Sequence, residues 1–281
     1  MNTTNAALTL LVSSLWLAGC GQGSNSTPTL PFNDIGDAPV DSLALGNNPI
    51  ESPITALPSP VVNEAPIAEL DDELGISDQA RYRVTLENMW GADDFPQGFP
   101  ADAHLSLIGG ATHSVAVSFW EVGEVASRGV EDMAETGLID ILLFDEVAPA
   151  IANGTAGSMI EVREFTDPQI DGVPGALEFD LTMNSQWPQV SFVTMLGPSP
   201  DWFVGVSGLS LLNDGGWETV LSVDLPVYDG GSKSDITPIM GGPDIIPPNP
   251  IELVAYNADT GVYLPSDEPQ YIARVTFVKI N

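Results

Sequence analysis

Pro198-Ser199-Pro200-Asp201-Trp202-Phe203-Val204-Gly205-Val206 sets a rigid turn against the start of a strand. Each proline fixes φ and removes a backbone donor. Each also biases the residue before it towards an extended conformation. The run from Trp202 to Val206 is aromatic and β-branched, the composition of a strand. Asp201 therefore stands at a strand mouth with its carboxylate aimed by a stiff turn. That placement suits a metal ion or a turn cap.

Downstream, Asn213-Asp214-Gly215-Gly216 is a hairpin signal between Trp202–Leu212 and Trp217–Leu225. Folding the chain there brings residue 201 roughly opposite 228 or 229, so Asp201 and Asp229 emerge at one end of the sheet. Further strands are expected at 81–87, 115–120, 178–183, 190–196 and 271–278, where apolar residues alternate or run together. The stretch 130–147 predicts a helix: Val130, Met133, Ala134, Leu138, Ile141 and Leu142 recur at helical spacing between acidic residues. Many strands, one main helix and Gly/Pro-rich turns give a mainly β fold. The expected architecture is an antiparallel β-sandwich of about eight strands over residues 80–281.

The same segment resembles the spondin domain, the amino-terminal domain shared by F-spondin and mindin. The matching residues are Trp90, Phe95-Pro96, Gly110-Ala111-Thr112-His113-Ser114, Trp120, Ala126-Ser127, Gly129 and Ala134-Glu135 with Gly137. Val190-Ser191-Phe192, the Pro-Ser-Pro-Asp-Trp block, Trp217, Tyr228-Asp229 and Ile272–Thr276 continue the series in order. The resemblance implies a calcium-binding β-sandwich and a role in extracellular recognition. The thrombospondin-type repeats of eukaryotic members, with their cysteines, have no counterpart here.

Two carboxylates at one sheet end repel unless a cation lies between them or one is protonated. Calcium takes about six to eight oxygen ligands, and the loop Asp229-Gly230-Gly231-Ser232-Lys233-Ser234-Asp235 can supply carbonyls and side chains. The resemblance implies that Asp201 and Asp229 are calcium ligands. The family's third aspartate falls at Lys233. Either Asp235 stands in for it, or the Lys233 ammonium takes the cation's place in a salt bridge.

The composition narrows the partners. Among 281 residues, 7 Lys+Arg face 39 Asp+Glu, a formal net charge of −32, which disfavours nucleic acid and anionic membrane surfaces. A surface adapted to salty water accounts for much of that charge. Cys20 is the single cysteine, so an intrachain disulfide and a multi-thiolate zinc site are both excluded. The apolar run 6–18 ends in Leu17-Ala18-Gly19-Cys20, which resembles a bacterial lipobox, although no basic residue precedes Arg81. Residues 1–19 are accordingly expected to be a lipoprotein signal peptide, with Cys20 lipidated. Gly21 in place of an Asp favours the outer membrane, with the domain periplasmic or surface-exposed. Residues 20–79, rich in Pro, Ser, Asn and acids, read as an extended tether.

No nucleophile elbow, zinc-protease motif or phosphate loop occurs. His113 is expected to hydrogen-bond backbone at a corner, His104 to be exposed, and Trp90, Trp120, Trp202 and Trp217 to pack the core. The expected function is a non-catalytic, lipid-anchored and monomeric module for adhesion or ligand recognition, with an extracellular protein or polysaccharide as ligand. The alternatives are a structural envelope protein and a hydrolase of extracellular polymers.

Overall fold

The computed structural model describes residues 77–281. The expected signal peptide, Cys20 and the expected tether up to residue 76 lie outside the described residues.

β1 (Gln79–Asn88) buries Ala80, Tyr82, Val84 and Leu86 at every second position. This period turns one face of a pleated strand to the core. β1 lies between β5 (Gly175–Asn184) and β13 (Tyr271–Lys279), antiparallel to both. β13 in turn pairs with the first half of β10 (Val220–Asp229). The register shifts between Leu225 and Pro226. Pro226 has no N–H to give to a ladder, and such irregularities bend a strand.

Past the bend β10 changes company. Tyr228 and Asp229 pair with Phe203 and Trp202 of β7 (Trp202–Ser210) on one side. On the other they pair with β11 (Glu252–Asn257), which continues into β12 (Val262–Pro265). The second leaf runs β4 (Ala156–Val162), β3 (Ile108–His113), β6 (Gln189–Gly197), β7, β10. β2 (His104–Leu105) adds to the end of β6. The fold is thus an antiparallel β-sandwich whose two leaves share β10. Tyr82, Leu86, Val275 and Phe277 from one leaf form one core with Phe192, Trp202 and Val204 from the other.

β6 is buried along almost its whole length because its outer face is covered too. Val193, Met195 and Phe203 pack there against Val130, Met133, Ile139, Leu142 and Leu143. The covering helix is not the single piece expected over 130–147. α1 (Arg128–Thr136) stops at Gly137, whose φ of 73° places it in the left-handed region and whose N–H returns to the Met133 carbonyl. Glycine tolerates that conformation and commonly ends helices there. A π-helical segment, Leu142–Val147, follows and runs into α2 (Ala148–Ala152).

Two strand expectations are corrected. Residues 115–120 form a turn and a loop, not a strand. The Ser114 hydroxyl and carbonyl accept from the Ala116 and Val117 N–H groups, turning the chain as β3 ends. Phe119 and Trp120 are nevertheless buried. The hairpin turn does form, between β8 (Leu212–Asn213) and β9 (Gly216–Trp217), with Asn213 Oδ1 accepting from the Gly215 N–H. Its arms do not stay paired, because Val220–Leu225 pairs with β13. β7 and β10 meet again only at Tyr228 and Asp229. Between these points lies a cleft of about 540 Å³, lined by Gly205–Leu209, Val223–Leu225 and the loop around Trp120.

Candidate metal centre

Asp201 is fully buried. The turn before it is held by Ser199, whose hydroxyl accepts the Trp202 N–H at 3.0 Å, after a cis Gly197–Pro198 peptide. The Asp201 carbonyl accepts the Gly230 N–H, tying the start of β7 to the end of β10. Asp201 Oδ2 accepts three donors: the N–H of Ser232 at 2.7 Å, the N–H of Lys233 at 2.8 Å and the Ser232 hydroxyl at 3.0 Å. Its Oδ1 is buried and meets no hydrogen-bond donor.

Asp229 lies one register step away, paired with Trp202. Its Oδ1 accepts the Gly231 N–H at 2.8 Å, and its Oδ2 accepts the Trp202 indole N–H at 3.1 Å. Gly231 has a φ of 77°, and a Cβ there would come within 2.1 Å of the Asn249 carbonyl, so no other residue fits this crossing. Burial raises the Asp229 carboxyl to about 7, helped by the charge of Asp201 and opposed by the Gly231 and Trp202 donors. Burial also raises Asp201, against the pull of the Lys233 and Ser232 donors.

Asp201 and Asp229 thus emerge at one end of the sheet as expected, but in another register: Asp229 faces Trp202, and Asp201 lies opposite Gly230. Asp235 is elsewhere. Residues 232–234 run beside 243–245 in an irregular hairpin, with Ser234 N–H donating to Pro243 and Ile245 N–H to Ser232. Asp235 lies at its far end, against Gly242. The Lys233 ammonium contacts the carboxylates of Glu135, at 3.1 Å, and Asp244. Its backbone, rather than its charge, reaches Asp201.

Three contributors escaped sequence reasoning: the Trp202 indole, the Ser232 hydroxyl and Glu135. Ser232 Oγ sits 2.7 Å from Glu135 Oε1, which brings a helix carboxylate to the sheet end. Glu135 appeared in the sequence only as part of a helical match, because nothing local reports which strand end a helix faces. Of the histidines, His113 is buried, with Nδ1 on the Ser114 carbonyl and Nε2 on the Ser191 hydroxyl. His104 is half-buried rather than exposed, its ring edge-on to Phe165. Trp90, Trp120, Trp202 and Trp217 are all buried.

No group of three or more His, Cys, Asp or Glu side chains forms a metal cage among the described residues. The chemistry of the pair still fits an oxygen-seeking cation. A buried carboxylate oxygen without a donor, beside a second desolvated carboxylate, lacks positive charge. Asp201 and Asp229 would be the carboxylate ligands of a calcium ion, whose charge would offset the burial that raises both groups.

An antiparallel sandwich with a strand-end carboxylate pair and an outer helix defines the class of this molecule. The family model described as Spondin_N matches residues 80–260. Spondin-2 of Rattus norvegicus is 31% identical over 212 residues, covering 72% of this chain and 62% of that protein. Spondin-2 of Homo sapiens is 32% identical over 161 residues, covering 56% of this chain and 47% of the relative. Spondin-1 of Gallus gallus is 33% identical over 161 residues, or 20% of its length. The chain belongs to the spondin amino-terminal domain family, and it spans less than two thirds of these relatives.

Proposed function

We propose that the chain is an exported, non-catalytic recognition module that carries calcium at Asp201 and Asp229. The observation that carries this reading is the buried Asp201 Oδ1 without a donor, beside Asp229. The ion would tie the start of β7 to the end of β10, the strand that joins the two leaves. Membership of the spondin family supports recognition rather than catalysis. The lipobox-like Leu17-Ala18-Gly19-Cys20 supports export and attachment to the outer membrane through lipidated Cys20. The ligand class that suits such a module is an extracellular protein or polysaccharide.

The test compares the purified chain with the Asp201→Asn, Asp229→Asn double variant, in calcium and in chelator. Calcium at about one hundred times its Kd stabilises the native chain by about 2.7 kcal/mol. That increment raises the Tm of the native chain and vanishes in the variant. Retention of envelope polysaccharide or extracellular protein should weaken in chelator. A Tm indifferent to millimolar calcium removes the metal from this reading.

A further inference from the structure

Ser232 Oγ lies 2.7 Å from Glu135 Oε1 and 3.0 Å from Asp201 Oδ2. A hydroxyl has one proton to donate. It satisfies one of these carboxylates and turns lone pairs towards the other. Asp201 Oδ1, fully buried, has no donor at all. The acidic side of the site thus exceeds its donors at two separate atoms.

The nearby positive charge is held off to one side. The Lys233 ammonium is 3.1 Å from Glu135 Oε2 and also contacts Asp244. The Lys233 side chain is 14% exposed, whereas those of the ion-paired arginines are 45% or more exposed. It is the one inward-facing cation in the ion pairs of the described residues. Asp244 is 63% exposed and sits across a backbone bridge from Lys233. The ammonium can therefore leave Glu135 and keep a partner.

We propose that Glu135 is a third carboxylate of the cation site, joined to Asp201 through Ser232, and that Lys233 competes with the cation for it. This rests on the calcium reading of Asp201 and Asp229. Lys233 then sets the affinity: with the ammonium on Glu135 the site offers two free carboxylates, and with the ammonium on Asp244 it offers three.

The test is calcium titration by calorimetry on four full-length chains: native, Lys233→Met, Glu135→Gln, and the double variant. Methionine keeps the apolar stem and removes the charge. Calcium should bind Lys233→Met about tenfold tighter and Glu135→Gln about tenfold weaker than the native chain, as expected for unit charges at close range. In the Glu135→Gln background the methionine substitution should change affinity by less than about twofold. Calcium binding by Lys233→Met alone also supports the competition. A gain of the same size in both backgrounds overturns it, because the ammonium would then act as a general charge and not through Glu135. Equal affinity of native and Lys233→Met chains overturns it as well, while leaving the Asp201–Asp229 reading intact. Binding by none of the four overturns both. Near-ultraviolet circular dichroism establishes that each variant is folded, with Lys233→Gln as the substitute where methionine is not.

Discussion

Asp229 carries the ionisation that couples this site to pH. Its carboxyl is raised to about 7 by burial and by Asp201, against about 4 in an unfolded chain. Between these values the folded state holds the proton that the unfolded state has lost. By linkage, the metal-free chain is most stable from this group below about pH 4 and loses that stability as pH rises through about 7. In chelator the Tm should therefore fall between pH 5 and pH 8, and Asp229→Asn should flatten the slope. Calcium should flatten it too, releasing a proton as it binds. A Tm that rises over this interval in chelator contradicts the assignment. That Asp201 and Asp229 reach one sheet end was legible because a turn reverses the chain between them; their register was not, because β10 leaves β7 for β13 and returns only past its bend. The Trp202 indole on Asp229 was not, since a strand's period does not say where a ring at its first residue points.

The helical pieces show how a glycine redirects an element. The apolar spacing over 130–147 reads as one helix, but Gly137 ends α1 and the chain folds back. Glu146, in the π-helical segment, then reaches the start of α1. It accepts the Gly129 N–H at 2.7 Å and the Ser127 hydroxyl at 2.7 Å, while Ser127 Oγ accepts the Val130 N–H at 3.2 Å. Two otherwise unpaired helix-start donors are satisfied in this way, with negative charge at the positive end of the helix. Glu146→Ala should cost about 1–2 kcal/mol in urea unfolding, the usual scale for losing such a cap. A loss below about 0.3 kcal/mol would show that water replaces the carboxylate. The failed strand at 115–120 has a different local origin: its β-branched and aromatic residues satisfy a propensity, but Ser114 turns the chain as β3 ends.

At the scale of the whole molecule the strand latest in sequence, β13, is central to its sheet. β13 lies between β1 and β10 and buries Ile272, Ala273, Val275 and Phe277. A chain cut at residue 260, where the family match ends, would lose a central strand and open both neighbours. It should show no cooperative unfolding transition and bind hydrophobic dyes, whereas a chain ending at Lys279 should melt as the full chain does. A cooperative melt of the shorter chain would mean that β1 and β10 close without β13. The charge of the molecule is distributed to suit such a core. Arg81, Arg83 and Arg274 meet acids on exposed strand faces, and Arg163 meets Asp140 and Glu161 just past the end of β4; each such exposed pair adds little stability.

The amino-acid sequence by itself determined the elements whose signals are local. Period-two burial marks β1, the proline-bracketed turn aims Asp201, and the Asn-Asp-Gly-Gly turn returns the chain towards Asp229. Those signals depend on residues within a few positions of one another. The tertiary structure decided the pairings that distant segments contest. Val220–Leu225 could lie along β7 or along β13, and β13 takes it, because there Leu225 joins Ala273, Val275 and Phe277 in the buried core. That choice bends β10 at Pro226, opens the cleft beside β7 and carries Asp229 across to Asp201. It also brings Glu135 from the covering helix to a sheet end 66 positions further along the sequence. Proximity of that kind comes from packing between layers, which no local pattern encodes.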